Sequence, residues 1–438
     1  MDPSALGRLC VERGLLTESQ LEACLRIQKE GKVWRRLGEV FLSEGLMTGV
    51  ALANLLNIQG AIRRGPAKRA EPPKPAPHHE LGWLMREARA CGALGVVLGA
   101  GSPPAFRFCS TTRVLEGAPL QEAQILKMLA EAVPPELLQR LERDRFAEAT
   151  TRIQEPDWVR VSLYRHSGGI GALLRPIEPV ARDLATLGLP AAAKELVRSR
   201  GGLVLLSGPA CSGRTATLGA LLQLAAASRT CHIITLERPP EIRLEPGAAR
   251  VTRMEVARGE GAYARALASA RGADTDIVAL SELDSEEVIL SALDAAEGDC
   301  LVLAVTGGKG ADHALRRLLE RLGARHQAHA RASLASCLRG VLHQRLVPAG
   351  DGSEHALACE LLLASTEVAS SLREDKLGQI TLALQSARGE GMVTLDDSLL
   401  RLAKRGRITA ETALCHAHDP ERLAAALPAR REATRAPH

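Results

Sequence analysis

The chain has 438 residues, of which 46% are hydrophobic and 24% charged, so it is long enough for two or three domains that each bury a core. The net charge of +5 is small for this length, and Lys and Arg are interleaved with Asp and Glu, which argues against a nucleic-acid-binding protein. The 10 cysteines form no C-x-x-C pair, and no apolar run has the length of a membrane span or the form of a signal sequence. We therefore expect a cytoplasmic protein that has neither zinc nor nucleic acid as a partner.

Residues 1–60 contain an internal repeat. The pair Leu6-Gly7 recurs as Leu37-Gly38, and each copy is typical of a helix, a glycine break and a second helix. Thr17 and Gln20 have the spacing of a capping box at the start of one of these helices. The repeat therefore predicts a small bundle of two helical hairpins.

A linker and a small α+β domain follow this repeat. Residues 61–79 are rich in Pro, Ala, Lys and Arg and have no apolar period, which is typical of a linker. Residues 80–183 mix helical and alternating patterns, which predicts an α+β domain. Its predicted elements are helices over 81–90 and within 121–144, a strand over 95–98, and a hairpin formed by 158–164 and the segment after Gly168-Gly169.

Residues 184–430 show a different pattern, in which short apolar strands alternate with helices. This alternation is typical of a parallel sheet covered on both faces. The predicted elements are strands over 203–207, 231–236, 277–280 and 300–305, and helices over 214–228, 261–271 and 285–297. After about residue 312 we predict mostly helix.

A glycine-rich loop joins the first of these strands to the first helix. It consists of Gly208, Pro209, Ala210, Cys211, Ser212, Gly213, Arg214 and Thr215. The spacing is that of G-x-x-x-x-G-K-[ST], with Arg214 in place of the lysine. Loop amides and a helix N-terminus bind phosphates, whereas a guanidinium is larger than an ammonium and changes the fit. On the loop alone, a phosphate-binding loop and an ordinary strand-to-helix turn remain alternatives.

Further segments resemble the pilus retraction motors, the PilT/GspE-type secretion ATPases, over nearly all of residues 80–425. HIITLERPPEI (232–242) resembles the acidic box, DTDIVALSELDSEEV (274–288) the Walker B segment, DAAEGDCLVLAV (294–305) the histidine box, CLRGVLHQRLVP (337–348) a core helix, and GEGMVTLDDSLLRLAKRGRITAETAL (389–414) the C-terminal helices. The resemblance implies a RecA-like P-loop NTPase domain over 184–430. It implies that a PAS-like domain over 80–183 precedes it.

The resemblance also implies roles for individual residues. The loop residues, Thr217 and Arg160 would contact ATP, and the Thr215 hydroxyl would coordinate Mg²⁺. Glu237 would be the acidic-box glutamate that orients the attacking water, and Glu282 would be the Walker B glutamate. ATP and Mg²⁺ are therefore the implied cofactors.

The chain departs from the family pattern at several positions around the γ-phosphate. Arg214 replaces the loop lysine, Arg238 replaces the aspartate after Glu237, and Ser281 replaces the glycine before Glu282. Asp284 stands in place of an arginine, and Ser167 in place of an arginine that reaches the neighbouring subunit's phosphate. Two histidines of the pattern are also missing, one at the position of Cys300 and one near Gly307-Gly308. Phosphoryl transfer depends on positioned cations. We therefore expect nucleotide binding to persist and hydrolysis to be slow or absent.

The repeat in residues 1–60 resembles the N-terminal domain of extension and secretion motors, which binds cyclic di-GMP. Arg36 supplies the arginine of the pattern in the second copy, whereas Ala5 stands in its place in the first. Extension motors with this domain usually also carry a four-cysteine zinc module, and this chain has no such cysteines. Retraction motors usually lack this domain, so the chain combines features of extension motors and retraction motors.

Three functions remain open on the sequence. The first is a regulatory or structural paralogue that forms a hexameric ring, with itself or with related motor ATPases, at the inner-membrane platform protein of a pilus or secretion system. The second is an active hexameric ATPase that powers pilus retraction. The third is an adaptor that responds to cyclic di-GMP through residues 1–60. The resemblance implies a cytoplasmic protein that is peripheral at the inner membrane.

Overall fold

The computed structural model divides the chain into two compact units, Met1–Ala76 and Pro77–His438. The structure describes residues 17–30, 40–41, 44, 46, 80–108, 111–130, 132–154, 157–178, 180–350, 355–387 and 391–427. Among these residues, no helix is long and apolar enough to cross a membrane.

The first unit contains helix α1 (Glu18–Glu30). Its predicted capping box is confirmed, because the Gln20 amide donates to the Thr17 hydroxyl over 3.3 Å and the Thr17 amide donates to the Gln20 side-chain carbonyl over 2.9 Å. The predicted two-hairpin bundle, the linker 61–79, Ala5 and Arg36 fall wholly or largely outside the described residues.

The second unit begins with an antiparallel sheet. Its elements are α2 (Leu81–Ala90), β1 (Gly95–Gly99), β2 (Ala105–Arg107), β3 (Thr112–Val114), α3 (Glu122–Ala130), α4 (Pro135–Asp144), β4 (Phe146–Gln154), β5 (Asp157–His166) and β6 (Gly169–Ile177). The strand order is β3-β2-β1-β6-β5-β4. Apolar side chains of all three helices pack on this sheet and form one core.

The sequence predicted α2, β1 and the β5–β6 hairpin, and the structure confirms them. It also confirms helix within 121–144, which forms two helices, α3 and α4. Three strands were missed. β2 and β3 are three residues long, and every side chain of β3 is exposed. The β4 sequence FAEATTRIQ places small and polar residues where large apolar ones would show a clear period of two.

The second sheet is parallel over most of its width. Its elements are a 3₁₀ helix (Ala191–Val197), β7 (Gly202–Ser207), α5 (Arg214–Ser228), β8 (His232–Glu237), β9 (Arg250–Glu255), α6 (Ala262–Arg271), β10 (Ile277–Leu280), α7 (Glu286–Glu297), β11 (Leu301–Thr306), α8 (Ala311–Glu320), α9 (Ala324–Cys337), β12 (Leu338–Pro348) and β13 (His355–Leu363). The strand order is β13-β12-β7-β11-β10-β8-β9, and only the β12–β13 pair is antiparallel.

Both faces of this sheet are covered, as the strand pattern predicted. In β7, Leu203 and Leu205 pack into one core, whereas Val204 and Leu206 pack into another on the opposite face. The predicted strands and the helices α5, α6 and α7 are confirmed to within one residue at each end. The remaining helices are α10 (Thr366–Arg373), a 3₁₀ turn (Leu377–Gln379), α11 (Ile380–Ser386), α12 (Leu395–Lys404), α13 (Ala410–His416) and α14 (Pro420–Ala426).

One predicted element is wrong. The segment 337–348, interpreted as a core helix, is mostly strand β12, and β13 follows it, so these two strands interrupt the mostly helical chain that was predicted after residue 312. β12 lies between β7 and β13 and is buried along most of its length. Buried positions follow one another along this strand without alternation, so its sequence has no period that separates a buried strand from a buried helix.

The packing of β12 leads to a stability prediction. A Cβ atom on Gly340 would lie 2.6 Å from both the Leu362 carbonyl oxygen and a Leu196 methyl group. We expect Gly340→Ala to lower the free energy of unfolding by about 1–3 kcal/mol because backbone atoms of β13 cannot yield as a flexible side chain can. Urea denaturation measures the change.

Gly378→Ala is the matched control, because nothing lies within 4 Å of a Cβ atom built at Gly378. Its unfolding midpoint should stay close to that of the wild type. Equal midpoints for the two variants would contradict the assignment of 338–348 as a central strand.

Candidate functional site

The parallel sheet brings the predicted motifs to one edge. The glycine loop follows β7, Glu237 is the last residue of β8, Glu282 follows β10 by two residues, and Thr306 ends β11. These strands are parallel, so their carboxyl ends lie at the same edge of the sheet. Open α/β sheets bind ligands at this edge.

The loop after β7 has a backbone that requires glycine. Gly208 has a φ of 155° and Gly213 a φ of 85°. A Cβ atom on Gly208 would lie 2.4 Å from the Gln344 carbonyl oxygen and 2.5 Å from the Ser212 hydroxyl. The loop therefore sits too close to β12 for any other residue at position 208.

The side chains of the loop divide into two groups. Pro209, Ala210, Cys211 and Thr215 are exposed, and Arg214 is half-buried. Ser212 and Thr217 are buried, with 2% and 1% of their surface exposed. The exposed group lies at the sheet edge, around the start of α5. The Thr217 side chain faces the protein.

Arg214 is anchored to the neighbouring strand. Its Nη1 donates a hydrogen bond of 2.7 Å to the carbonyl oxygen of Thr306, the last residue of β11. Burial lowers the pKa of Arg214, while the charge of Asp284 acts in the opposite direction. The guanidinium has five N–H donors, so one bond to Thr306 leaves others that can reach an anion.

Glu237 is buried and its carboxylate is occupied. Only 2% of its surface is exposed. The Thr235 hydroxyl donates to Oε1 over 2.8 Å, and the amides of Glu241 and Ile242 donate to Oε2 over 2.8 and 2.9 Å. Burial raises the pKa of Glu237, although these hydrogen bonds lower it. In this structure the carboxylate holds the turn after β8.

Glu282 is paired with a residue that departs from the family pattern. Arg238 Nη2 lies 3.4 Å from Glu282 Oε2. The same guanidinium stacks over the ring of Tyr263, 4.8 Å from its centroid, and the Tyr263 hydroxyl shares a hydrogen bond of 2.8 Å with Ser281. Two of the departures, Arg238 and Ser281, thus belong to one connected group of side chains around Glu282.

The other departures at this edge also have partners. Asp284 forms an ion pair with Arg321, which also donates to the Leu283 carbonyl over 2.9 Å. A Cβ atom on Gly307 would lie 2.9 Å from Nη1 of Arg317. Arg317 therefore occupies space that a histidine at position 307 would need.

Cys300 lies away from this edge, contrary to the interpretation of its position as part of the γ-phosphate surroundings. It precedes β11, whereas the glycine loop lies beyond the other end of that strand. At about 3.3 Å per residue, the six residues of β11 separate Cys300 from the edge by roughly 20 Å. Burial raises the pKa of the Cys300 thiol to about 11. The cysteine that replaces the family's histidine at position 300 therefore has no direct contact with a nucleotide at the loop.

Arg160 is engaged within its own chain. It lies on β5, where its Nη2 donates to Glu148 over 3.0 Å and its Nη1 pairs with Glu241 in the turn after β8. The Thr150 hydroxyl donates to the Pro240 carbonyl over 2.7 Å at the same contact. The turn that Glu237 holds therefore packs directly on the antiparallel sheet. Ser167 lies in the turn at the other end of β5.

Two residues of β12 touch the loop and were missed in the sequence. His343 Nδ1 shares a hydrogen bond of 2.9 Å with the Ser207 hydroxyl, and Gln344 Nε2 donates to the Ser212 carbonyl over 2.7 Å. Both side chains are buried. The available signal was the run His-Gln-Arg inside an otherwise apolar segment, but the interpretation of that segment as a helix concealed it.

The residues at this edge fit a phosphate chain with Mg²⁺. Positive φ angles and the missing Cβ atoms form a concave backbone at Gly208 and Gly213, and such a backbone at a helix N-terminus binds anions. The exposed Thr215 hydroxyl is available as an oxygen ligand. Arg214 already makes a hydrogen bond to the protein.

Comparison with known proteins finds similarity to secretion and pilus proteins. The family model described as Type II/IV secretion system protein matches residues 154–383. The type IV pilus retractation ATPase PilT of Pseudomonas aeruginosa is 31% identical over 332 residues, which is 75% of this chain and 96% of that protein. A twitching motility protein of Neisseria gonorrhoeae is 30% identical over 264 residues, which is 60% of this chain and 71% of that protein.

Solved structures agree with this similarity. A crystal structure of the pilus retraction motor PilT with bound ADP has a TM-score of 0.68 and 28% identity, and the match covers 80% of this chain and 100% of that one. The ATPase DotB of Legionella pneumophila has a TM-score of 0.66 at 19% identity, covering 78% of this chain and 96% of that one. The predicted α/β fold with a RecA-like domain is confirmed.

The buried His343 leads to a pH prediction. Burial lowers its pKa from 6.5 to about 3, with nearby cationic groups, Arg345 first, adding to the effect. Below pH 6.5 the unfolded chain takes up a proton at this residue that the folded chain does not, so acidification favours unfolding. Between pH 7 and pH 5 this residue should lower the free energy of unfolding by about 2 kcal/mol.

His343→Gln removes the titrating ring and keeps polar atoms near Ser207. We expect urea midpoints of the wild type to fall more steeply than those of the variant from pH 7 to pH 5. Parallel curves for the two proteins would show that His343 is not a buried neutral side chain.

Proposed function

The chain belongs to the Type II/IV secretion system protein family, and we propose that it is an ATP-binding member that hydrolyses ATP slowly or not at all. In this proposal it acts as a regulatory or structural partner of active motors. The observation that carries the proposal is the ion pair between Arg238 and Glu282.

Nucleotide binding is supported by the loop and by the family. The crystal structure of PilT that resembles this chain contains ADP. Here the loop from Gly208 to Thr215 offers backbone amides at the start of α5. Three guanidinium groups, of Arg214, Arg238 and Arg317, lie in contact with residues at the same sheet edge. An anionic ligand would therefore meet positive charge.

The proposed ligands have defined positions on the chain. The amides of the loop would hold the phosphates of ATP, and the Thr215 hydroxyl would coordinate Mg²⁺, which would neutralise phosphate charge when bound. Arg214 would contact nucleotide only after leaving the Thr306 carbonyl. Arg160 would do so only after leaving Glu148 and Glu241.

Slow hydrolysis is supported by the state of the two glutamates. Orientation of an attacking water by Glu237 requires an accessible carboxylate, and this one is 2% exposed with both oxygens accepting hydrogen bonds. Glu282 has the cation of Arg238 beside it, where the family pattern has an aspartate. Neither glutamate is free to act as a base in this conformation.

The loss of cations supports the same conclusion. One removed electrostatic donor typically lowers kcat by about 10²–10³. The histidine near Gly307-Gly308 and the arginine at position 167 are absent, and the loop lysine is replaced by Arg214, whose guanidinium is bonded to the Thr306 carbonyl. Cys300 is too far from the edge to count among these changes. Three such exchanges leave little turnover if no other group compensates.

We propose the following division of the chain, which follows the sequence boundaries. Residues 1–60 would form a helical two-repeat domain, 61–79 a linker, 80–183 a PAS-like domain, and 184–430 the motor domain with its C-terminal helices. The ring would be made of six copies or would include related motors. It would work in the cytoplasm at the inner-membrane platform of a pilus or secretion system.

The first functional prediction concerns binding and hydrolysis in the full chain. Calorimetry with MgADP should show saturable binding, and phosphate release from MgATP should be far slower than about 1 s⁻¹, an ordinary enzyme rate. Arg214→Lys should restore little activity, because Arg238 remains beside Glu282. The double variant Arg214→Lys, Arg238→Asp should release phosphate faster than either single variant.

The alternative, an active retraction motor, has its own signature in this assay. Phosphate release near 1 s⁻¹ by the wild type, abolished by Glu237→Gln, would overturn the proposal. Absence of MgADP binding at millimolar concentrations would overturn the nucleotide-binding part.

The second functional prediction concerns assembly. We expect light scattering of the purified chain with MgADP to show a hexamer or, in a mixture with an active PilT, a complex larger than either protein alone. Disruption of the turn contact by Glu241→Arg should weaken this assembly, because Glu241 fixes Arg160 and the antiparallel sheet against the motor domain. A monomer at micromolar concentration in every mixture would contradict ring formation.

A further inference from the structure

Strand β12 holds the glycine loop at two points. His343 contacts Ser207, the residue before the loop, and Gln344 contacts Ser212, the residue before Gly213. We propose that Gln344 is a positioning residue that aims the Gly213 amide at the nucleotide phosphates, with His343 fixing the start of the loop. The proposal rests on the nucleotide binding proposed above and adds a residue outside the loop to it.

The geometry of a peptide bond gives the mechanism. The C=O of Ser212 and the N–H of Gly213 belong to one planar unit, and in a trans peptide they point in opposite directions. Gln344 is 1% exposed and binds the C=O over 2.7 Å from the buried side. The N–H of Gly213 is therefore turned away from β12, towards the exposed side of the loop, where phosphates would bind.

β12 is a firm base for this contact. It pairs with β7 on one side and with β13 on the other, and His343 is in register with Ser207. The main chain of Gln344 also lies against Gly208, where even a Cβ atom would come within 2.4 Å of its carbonyl oxygen. The loop thus rests on the main chain of β12 at one end and hydrogen-bonds to a side chain of β12 at the other.

The polar groups under the loop are not explained by stability. The Ser212 hydroxyl, His343 Nε2 and Gln344 Oε1 are buried atoms that have no hydrogen-bond partner among the described residues. Leaving such atoms unpaired costs free energy, and apolar side chains of similar shape would avoid that cost. A function of His343 and Gln344 in orienting the loop accounts for polar side chains at these positions.

The test uses the full chain and two variants of Gln344. Gln344→Met keeps the approximate length without a donor, and Gln344→Glu replaces the donor by an acceptor that faces the Ser212 carbonyl. Gln385→Glu is the control, because Gln385 is a half-buried glutamine on α11 outside the site. Hydrogen exchange is measured without nucleotide, and Mg²⁺-dependent binding of ADP and of pyrophosphate is measured by calorimetry.

We expect faster exchange in the peptide spanning 207–217 for both Gln344 variants, with the rest of the chain unchanged. ADP and pyrophosphate should both bind about 10-fold or more weakly, because the loss of a charge-assisted amide contact acts on the phosphates and not on the adenosine. The control should match the wild type in both measurements.

Three results would overturn the proposal. The first is unchanged exchange in 207–217, and the second is a faster loop with unchanged ADP and pyrophosphate affinity. The third is faster exchange throughout the motor domain with a lowered melting temperature, which would make Gln344 a general packing residue. If the wild type binds no ADP, the proposed function fails, and the exchange measurement still decides whether Gln344 holds the loop.

Discussion

The glycine loop is held between the two strands that flank β7, and this arrangement determines where the other site residues lie. Ser207 ends β7 with Thr306 of β11 and His343 of β12 in register on its two sides. Arg214, at the end of the loop, bonds to β11, while Ser212 bonds to Gln344 on β12. Because β8 and β10 run parallel to β11 and β7, Glu237 at the end of β8 and Glu282 after β10 lie at the same edge.

Much of this arrangement could be predicted from sequence, because its elements carry strong local patterns. The boundaries of α5 follow from the glycine loop, and the buried strands follow from short apolar runs between helices. β12 could not be predicted, since its buried positions, polar ones included, follow one another without a period of two. Its misassignment concealed His343 and Gln344. The depth of Cys300 in the sheet was likewise hidden, because a motif alignment gives the order of residues and not the strand end at which they lie.

The residues that depart from the family pattern at this edge are in contact with one another or with nearby charges. Arg238 pairs with Glu282 and stacks on Tyr263, which bonds to Ser281. Asp284 pairs with Arg321, and Arg317 lies against Gly307. A scatter of independent exchanges would leave buried or half-buried charges without partners, which is costly. At this edge, instead, the carboxylates of Glu282 and Asp284 are each paired with an arginine, Arg238 and Arg321.

These pairs affect chemistry more than folding. Arg238 and Glu282 are 23% and 47% exposed as side chains, and an ion pair with this exposure contributes at most about 1 kcal/mol to stability. The same cation, however, lies beside the carboxylate of Glu282, and phosphoryl transfer is sensitive to such placement of charge. Binding of phosphates depends mainly on loop amides, which the exchanges leave in place. The proposed nucleotide site and the proposed loss of hydrolysis are therefore compatible with one another and with the family fold.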